Sequence, residues 1–239
     1  MEAADNLTDL DQAREEARRC GVDLMPTDGG LSLAADGMRL VPDFRALLPR
    51  LRPDRLGREL LVKAAKVKAG GGAPLAVDAT AGLGQDALLL AASGFRVLLF
   101  ERNPVIAALL QDALRRAAAD ADLADVAARM AFAGSDSIAG LRLLPAPPDV
   151  VYLDPMFPAR QKSAAVKKKF QLLHHLERPC DDAAELLQAA LDAHPRKVVV
   201  KRPPKGPFLA DVKPSYSLAG KAVRYDVISL PPRRSETVQ

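Results

Sequence analysis

Cysteine is scarce in this chain. Only Cys20 and Cys180 are present, and neither stands in a C-x-x-C context. A disulfide framework needs more cysteines, and a zinc site needs closely spaced ligands. We therefore expect neither a structural disulfide nor a bound metal. The lack of a disulfide framework also favours a reducing compartment, and we expect the protein in the cytoplasm.

Long apolar runs are also lacking. No uncharged apolar stretch approaches the ~20 residues that span a bilayer, and the acidic start MEAADNLTDLDQAREEARR has none of signal-peptide length. We expect no membrane partner. The 239 residues, 49% hydrophobic and 27% charged, are typical of one sizeable globular domain with an extension. A net charge of +4 favours an anionic partner, but only weakly.

Residues 1–72 are predicted to form the N-terminal extension. A short charged helix is expected from Asp9 to Cys20, followed by a hairpin over 31–41, where two apolar runs flank Asp36-Gly37. The stretch from Arg50 to Lys68 combines many basic residues with apolar residues at helical spacing, which predicts a basic helix. Three glycines, 70–72, then indicate a hinge.

Residues 73–232 are predicted to form the main domain, followed by a tail at 233–239. Short apolar runs such as LAVDA, RVLLF, DVVYLD and KVVVKR alternate with helical segments, two of them near 162–176 and 181–194. Strands that are apolar throughout and separated by helices indicate a parallel sheet covered on both faces. The final strand, AVRYDVISL, follows a turn-rich segment and suggests an antiparallel closing hairpin.

The turn after the first strand of this domain is rich in glycine. Gly82 and Gly84 let the backbone turn tightly and approach a ligand. Asp78 precedes them and could pair with a cationic amino-acid group, although capping of the turn would also explain it. Glu101 closes the second strand, where a carboxylate can accept both hydroxyls of a ribose; a surface charge is the alternative. Because ligands bind at the carboxyl ends of parallel strands, a cofactor site is expected here.

The third strand is followed by Gly134-Ser135-Asp136, at the position expected to reach an adenine ring. A helix cap by Ser135 or Asp136 is an equally good explanation and does not exclude binding. A nicotinamide dinucleotide fits the site less well, because Asp78 would face its pyrophosphate and Thr80-Ala81 lengthens the turn.

The fourth strand ends in Asp154-Pro155-Met156-Phe157. The exocyclic amine of a nucleobase is a poor nucleophile, and transfer of a methyl group to it needs acceptors that hold its protons. The Asp154 carboxylate and the Pro155 carbonyl can act as such acceptors, and proline presets the direction of the carbonyl. Phe157 offers a face on which the base can stack, worth roughly 1–3 kcal/mol. A proline-rich turn with a capping aspartate is the alternative.

Several of these motifs together resemble the ribosomal small subunit methyltransferase J family. They are VDATAGLG, Glu101-Arg102-Asn103-Pro104, VVYLDPMFP with the following Gln161-Lys162-Ser163, and VVVKRP, and the resemblance is dense over 74–175 and around 198–203. It implies a class I S-adenosylmethionine methyltransferase of the α/β class, with a Rossmann-like, mostly parallel sheet of seven strands and an antiparallel closing hairpin.

The resemblance also implies a function. The cofactor would be S-adenosylmethionine, and the reaction would be methylation of the N2 amine of a guanine in small-subunit (16S) ribosomal RNA. Cofactor contacts are implied at seven positions: Gln85, Asp86, Glu101, Arg102, Ser135, Asp136 and Asp154. The chain departs from the family pattern at Gln85 and Asp136, where Arg and Ser are usual.

Basic residues lie near the expected catalytic turn and after the fifth strand. We expect RNA contacts at Arg160, Lys162, Lys167, Lys168, Lys201 and Arg202, although a solvated lysine face is the simpler explanation for the helical ones. The predicted helix from Arg50 to Lys68 could likewise either pack its apolar stripe on the main domain or help to hold RNA.

Other functions remain open at this point. A ribose 2′-O-methyltransferase could use Asp154 and Lys201, but the only later glutamate, Glu236, lies in the tail. A cytosine-C5 enzyme would need a nucleophilic cysteine beside its base, and neither cysteine lies in such a turn. The chain could also methylate an amine in DNA or protein, or serve as a non-catalytic RNA-binding assembly factor.

Overall fold

The computed structural model describes residues 2–68, 71–155, 172–173, 175–176 and 182–231. The chain begins with helix α1, which ends before Gly21 in a left-handed conformation (φ +72°). Three short antiparallel strands follow in the order β1-β2-β3, so the hairpin expected at 31–41 is confirmed. A further strand, β1, was not predicted. The bounds are α1 Glu2–Arg19, β1 Asp23–Thr27, β2 Gly30–Ala35 and β3 Met38–Leu40.

The prediction of one basic helix from Arg50 to Lys68 is wrong. Arg52 is extended (φ −58°, ψ 139°), because a following proline disfavours the helical conformation, and Glu59 is extended again. The apolar residues nevertheless pack as expected, with Leu61 and Ala64 buried in the core. The segment consists of a 3-10 turn at Phe44–Leu47, α2 Leu48–Leu51, α3 Pro53–Leu56 and α4 Leu60–Ala65.

The main domain is built on a seven-stranded sheet in the order β6-β5-β4-β7-β8-β10-β9. The pairings from β6 through β8 are parallel, whereas β10 is antiparallel to both β8 and β9. This arrangement confirms the predicted parallel sheet and closing hairpin. The strands are β4 Leu75–Asp78, β5 Arg96–Phe100, β6 Met130–Gly134, β7 Val150–Leu153, β8 Lys197–Arg202, β9 Tyr216–Ala219 and β10 Arg224–Ser229.

Helices connect these strands, and apolar cores lie against the sheet. The helix after β5 begins as predicted: the Asn103 side chain accepts hydrogen bonds from Val105 N and Ile106 N, and Pro104 occupies the first turn. The predicted helix near 162–176 falls mainly outside the described residues. The others are α5 Gln85–Ala92, α6 Pro104–Ala118, α7 Ala124–Ala127, α8 Ser137–Arg142 and α9 Ala183–Asp192.

The extension shares a hydrophobic core with the main domain. Leu24, Leu33 and Leu40 pack together with Val105 and Leu109 of α6. The boundary predicted at 72 therefore separates two parts of the sequence whose apolar surfaces are buried against each other. Among the described helices, none is both long and apolar enough to cross a membrane.

Candidate active site

A cleft of about 1130 Å³ opens at the carboxyl ends of the parallel strands. It lies where the strand order reverses between β4 and β7, the place at which α/β sheets bind ligands. The cleft is lined by residues of the predicted cofactor and catalytic turns, namely Asp78, Gly82, Gln85, Asp86, Glu101, Arg102, Ser135, Asp136, Asp154 and Pro155.

Backbone hydrogen bonds hold the glycine-rich turn after β4 against its neighbours. Ala79 N donates to the carbonyl of Tyr152 at 3.0 Å, and Ala81 N donates to the carbonyl of Phe100 at 2.9 Å. The turn is thus fixed to β7 on one side and to β5 on the other. This fixes the floor of the cleft before any ligand binds.

Glu101 is buried (8% exposed) and ties two loops together. Its Oε2 accepts from Gly82 N and its Oε1 from Asn103 N, each at 2.8 Å. Burial raises the pKa of Glu101 above its usual value, although these two hydrogen bonds oppose the shift. Each carboxylate oxygen has a further lone pair, so Glu101 can still accept from hydroxyl groups in the cleft.

Asp78 carries a buried oxygen that has no donor among the described residues. The side chain is 1% exposed; Oδ1 accepts from Thr80 N at 3.2 Å, whereas Oδ2 has no hydrogen-bond partner. Burial, with the nearby carboxylates Asp86 and Asp154, raises the pKa of Asp78 well above its usual value. Because a buried unpaired acceptor is costly, this oxygen fits a ligand that brings a cationic donor, such as an α-ammonium group.

Gly84 is required for packing rather than for ligand approach. It adopts a left-handed conformation (φ +74°) at the start of α5. A Cβ there would lie 2.6 Å from Leu110 Cδ1 and 3.1 Å from Phe44 Cζ, so these two buried side chains would have to shift to admit it. Unlike Gly82, Gly84 is not among the residues that line the cleft.

The cleft is bounded at its other end by polar residues on loops. Asp136 caps α8, with Oδ1 accepting from Ala139 N at 2.9 Å, and both Ser135 and Asp136 are exposed. Arg102 Nη1 donates to both carboxylate oxygens of Asp182 at 3.0 Å. Gln85 is exposed at the first position of α5. These side chains are available to contact a ligand in the cleft.

Asp154 follows β7 directly, and its backbone is fixed by the side chain of Thr80, a contact that the sequence did not predict. Its backbone N–H donates to Thr80 Oγ1 at 2.6 Å. Removal from bulk water raises the pKa of Asp154, while the nearby Lys201 opposes that shift. Pro155 is buried and also lines the cleft.

Lys201 lies between two carboxylates. Its Nζ is 2.9 Å from Asp154 Oδ2 and 2.7 Å from Asp86 Oδ2. Asp86 Oδ2 also accepts from the Tyr152 hydroxyl at 2.6 Å. Burial would lower the pKa of Lys201, but the two carboxylates outweigh it and raise the pKa above its usual range. The sequence could indicate that β7 and β8 end together, but not that these side chains meet.

The structure revises the expected RNA contacts after β8. Arg202 is only 2% exposed and donates through Nε to the carbonyl of Pro207 at 2.7 Å. Lys201 is engaged by carboxylates. A phosphate group needs an accessible cation, so neither residue is placed for such a contact. The remaining predicted residues, Phe157, Arg160, Lys162, Lys167 and Lys168, lie outside the described residues.

Comparison with known proteins agrees with this geometry. Residues 17–229 match the family described as "Putative SAM-dependent methyltransferase". A crystal structure of an S-adenosylmethionine-dependent methyltransferase from Neisseria gonorrhoeae is similar, with a TM-score of 0.71 and 34% identity over 87% of this chain and 83% of that one.

Curated relatives from several bacteria carry the name ribosomal RNA small subunit methyltransferase J. The protein of Pseudomonas aeruginosa (strain UCBPP-PA14) is 50% identical over 71% of this chain and 65% of its own length. That of Stutzerimonas stutzeri (strain A1501) is 52% identical over 64% of this chain and 60% of its own length. The chain thus spans less than two thirds of these two relatives. With the matching family model and the gonococcal structure, these findings show that the chain belongs to the family of S-adenosylmethionine-dependent methyltransferases.

Proposed function

We propose that this protein methylates the N2 amine of a guanine in small-subunit ribosomal RNA. The observation that carries the proposal is the meeting, in one cleft, of the unpartnered Asp78 carboxylate oxygen with the Asp154-Pro155 turn. The Asp78 oxygen is suited to a cationic donor group of the cofactor, and the Asp154-Pro155 turn is suited to the protons of a planar amine.

The residues of the cleft fit S-adenosylmethionine. Asp78 would accept from the ammonium of its amino-acid portion, and Glu101 from its ribose hydroxyls. Ser135 and Asp136 would reach its adenine ring. Gln85, Asp86 and Arg102 complete the walls around it. When bound, this cofactor supplies an electrophilic methyl group on a sulfonium ion.

Asp154 and Pro155 act on the target amine. Held by Asp78 and Glu101, the cofactor would supply the methyl group, and the amine nitrogen would supply the electron pair of the new N–C bond, while sulfur would keep the pair of the bond that breaks. The Asp154 carboxylate and the Pro155 carbonyl accept from the amine protons, which orients the lone pair and stabilises the positive charge that develops on nitrogen. One of these protons would then pass to the Asp154 carboxylate. Phe157, which follows in the sequence, would stack on the base.

The substrate assignment is supported by the relatives. Those that match over most of this chain are named for the RNA of the small ribosomal subunit. The basic residues at 160, 162, 167 and 168 follow the catalytic turn in the sequence and would contact the RNA backbone. The cytoplasm, where ribosomal RNA is found in bacteria, is the proposed location.

Methylation of a ribose 2′-hydroxyl is the second candidate, because the structure brings Asp154 and Lys201 to 2.9 Å. Such an enzyme would need a further lysine and a glutamate near the pair. Among the described residues, the group that completes the contact is the carboxylate Asp86, which cannot lower the pKa of a hydroxyl as a second lysine would. The base amine is therefore favoured.

Three measurements test the proposal. Calorimetry should show binding of S-adenosylmethionine, and tritiated methyl groups should be transferred to small-subunit RNA. Mass spectrometry of the product nucleosides should then find N2-methylguanosine. A ribose-methylated nucleoside would favour the second candidate. Cofactor binding without transfer to any nucleic acid or protein would favour a non-catalytic assembly factor.

A further inference from the structure

The end of β8 places a lysine beside the catalytic carboxylate. Strands β7 and β8 are parallel with Leu153 opposite Val200, so the residues that follow, Asp154 and Lys201, are neighbours. The lysine reaches past its neighbour: its Nζ contacts Asp86 Oδ2 at 2.7 Å as well as Asp154 Oδ2 at 2.9 Å. One ammonium group is thus shared by two carboxylates.

Asp86 is itself held in place from the sheet. Its Oδ2 accepts from the hydroxyl of Tyr152 at 2.6 Å, and Tyr152 is 1% exposed on β7. Burial and the charge of Asp86 raise the pKa of Tyr152 well above its usual value, so the hydroxyl remains a donor. Because Asp86 is fixed by α5 and Tyr152, it can anchor the flexible lysine side chain.

We infer that Lys201 is a positioning residue that keeps the Asp154 carboxylate ionised and aimed at the target amine. This inference rests on the proposed function and adds to it a role for Asp86, which holds the lysine between α5 and β8. Without Lys201, Asp154 would be a carboxylate partly removed from water with a second carboxylate close by, and it would bind a proton more readily.

The charges around Asp154 determine the direction in which its pKa should change in each variant. Removal from water and the charge of Asp86 raise the pKa of Asp154, whereas Lys201 and Arg202 lower it. Loss of Lys201 should therefore raise the pKa of Asp154, and loss of the Asp86 charge should lower it. Among the described residues, the ionisable groups that face Asp154 come from four strands and one helix: Lys201 and Arg202 on β8, Asp86 on α5, Asp78 on β4, Tyr152 on β7 and Tyr225 on β10.

The test is the pH dependence of kcat at saturating S-adenosylmethionine, with tritiated methyl transfer to small-subunit RNA. In Lys201→Met, the acid limb should move to higher pH by about one to three units, the effect of an opposite charge at contact distance. Lys201→Arg retains the charge and should leave the limb close to that of the wild type. Cofactor affinity, measured by calorimetry, should change much less than kcat.

Lys197→Met is the matched control. Lys197 is the first residue of the same strand, at the end away from the cleft, and its Nζ donates to the carbonyls of Ala64 and Lys66. Its thermal midpoint reports the cost of removing a strand-end lysine, and its acid limb should not move. If Lys201→Met is too unstable to assay, Lys201→Gln serves in its place.

Asp86→Asn should shift the acid limb of the kcat profile in the direction opposite to Lys201→Met. Its acid limb should move to lower pH, because a negative charge is removed and Lys201 becomes available to Asp154 alone. A purely structural role for the network would not move the two limbs in opposite directions. Two results would overturn the inference if the wild type is active. The acid limbs of Lys201→Met and Asp86→Asn could coincide with that of the wild type, or Lys201→Met and Lys201→Arg could have the same acid limb. A wild-type protein that transfers no methyl group would instead contradict the proposed function.

Discussion

At the scale of single residues, Asp154 should matter for turnover rather than for cofactor binding. Asp154→Asn keeps the shape of the side chain but replaces one acceptor oxygen by a donor that faces the amine protons. We expect kcat to fall by about 10²–10³-fold, the effect of removing one preorganised polar contact, with little change in the dissociation constant of S-adenosylmethionine. Asp125→Asn, an exposed position on α7, is the matched control. Equal losses of turnover and affinity would place Asp154 in the cofactor site instead.

Asp78 should show a conflict between stability and binding. Its pKa is raised by burial, so the unfolded state releases the proton first, and stability is lost as pH rises above the usual aspartate value. Asp78→Asn retains an acceptor for Thr80 N and removes the buried charge. We expect this variant to be more stable than the wild type without cofactor at neutral pH, by about 1–3 kcal/mol, and to bind S-adenosylmethionine more weakly.

Thermal unfolding with and without S-adenosylmethionine measures both effects for Asp78→Asn. The cofactor should raise the midpoint of the wild type more than that of the variant. A variant that is less stable alone would contradict the cost of the buried charge, and one that gains as much from the cofactor would show that Asp78 does not face the ammonium group.

The sequence predicted which residues border the cleft but not how they contact one another. Asp78, Glu101 and Asp154 each follow a parallel strand, and such positions meet at one edge of the sheet. The contact of Lys201 with Asp86 joins residues that are 115 positions apart, so no local pattern indicates it. Charge alone suggested an RNA contact for Lys201, whereas its geometry assigns it to the carboxylates.

At the scale of elements, regular alternation was predicted well and interrupted segments were not. The strands of the main sheet are short apolar runs between turns, and their burial on both faces makes that pattern unambiguous. The strand Asp23–Thr27 contains a proline and polar residues, so it lacks a strand signal and forms by pairing with β2. Helical spacing over 50–68 concealed the break at Arg52, which the following proline imposes.

The exposed arginines of this broken segment are predicted to hold RNA beside the cleft. Arg52, Arg55 and Arg58 are exposed. Their segment is packed against the β9–β10 turn, because a Cβ on Gly220 would lie 2.8 Å from Leu60 Cδ1, and the same turn lines the cleft. Replacing all three arginines by glutamine should weaken RNA binding. The slope of log K against log salt should become shallower by about 0.7 for each phosphate that the variant no longer neutralises.

The control for the arginine triple variant also removes three positive charges, but at the amino ends of the strands, away from the cleft. Lys66, Lys68 and Arg96 are exposed near the amino ends of the strands, where Lys197 and Arg196 bond to the carbonyls of Lys66 and Lys68. Their replacement by glutamine should leave the salt slope unchanged. Equal slopes in the two triple variants would mean that the arginines form an ordinary solvated face.

At the scale of the whole molecule, the extension and the main domain should unfold together. Asp112 of α6 joins them: Oδ2 accepts from Leu31 N at 2.9 Å and from Arg116 Nε at 2.8 Å. The two parts approach closely here, since a Cβ on Gly30 would lie 2.7 Å from Asp112 Oδ2. Asp112→Ala leaves the Leu31 amide without its acceptor, and should lower the free energy of unfolding by about 1–3 kcal/mol.

The pH dependence of the Asp112→Ala effect follows from its charge partners. Burial alone would raise the pKa of Asp112, but the hydrogen bonds from Arg116, Leu31 and Arg115 outweigh it and lower the pKa below its usual value. The stabilisation is therefore complete above the usual aspartate pKa and is lost as pH falls through the lowered one. Calorimetric scans of the wild type and Asp112→Ala should show one cooperative transition each, with a difference in midpoint that shrinks on acidification. A separate early transition in the variant would mean that the extension folds as an independent unit, which the core it shares with α6 argues against.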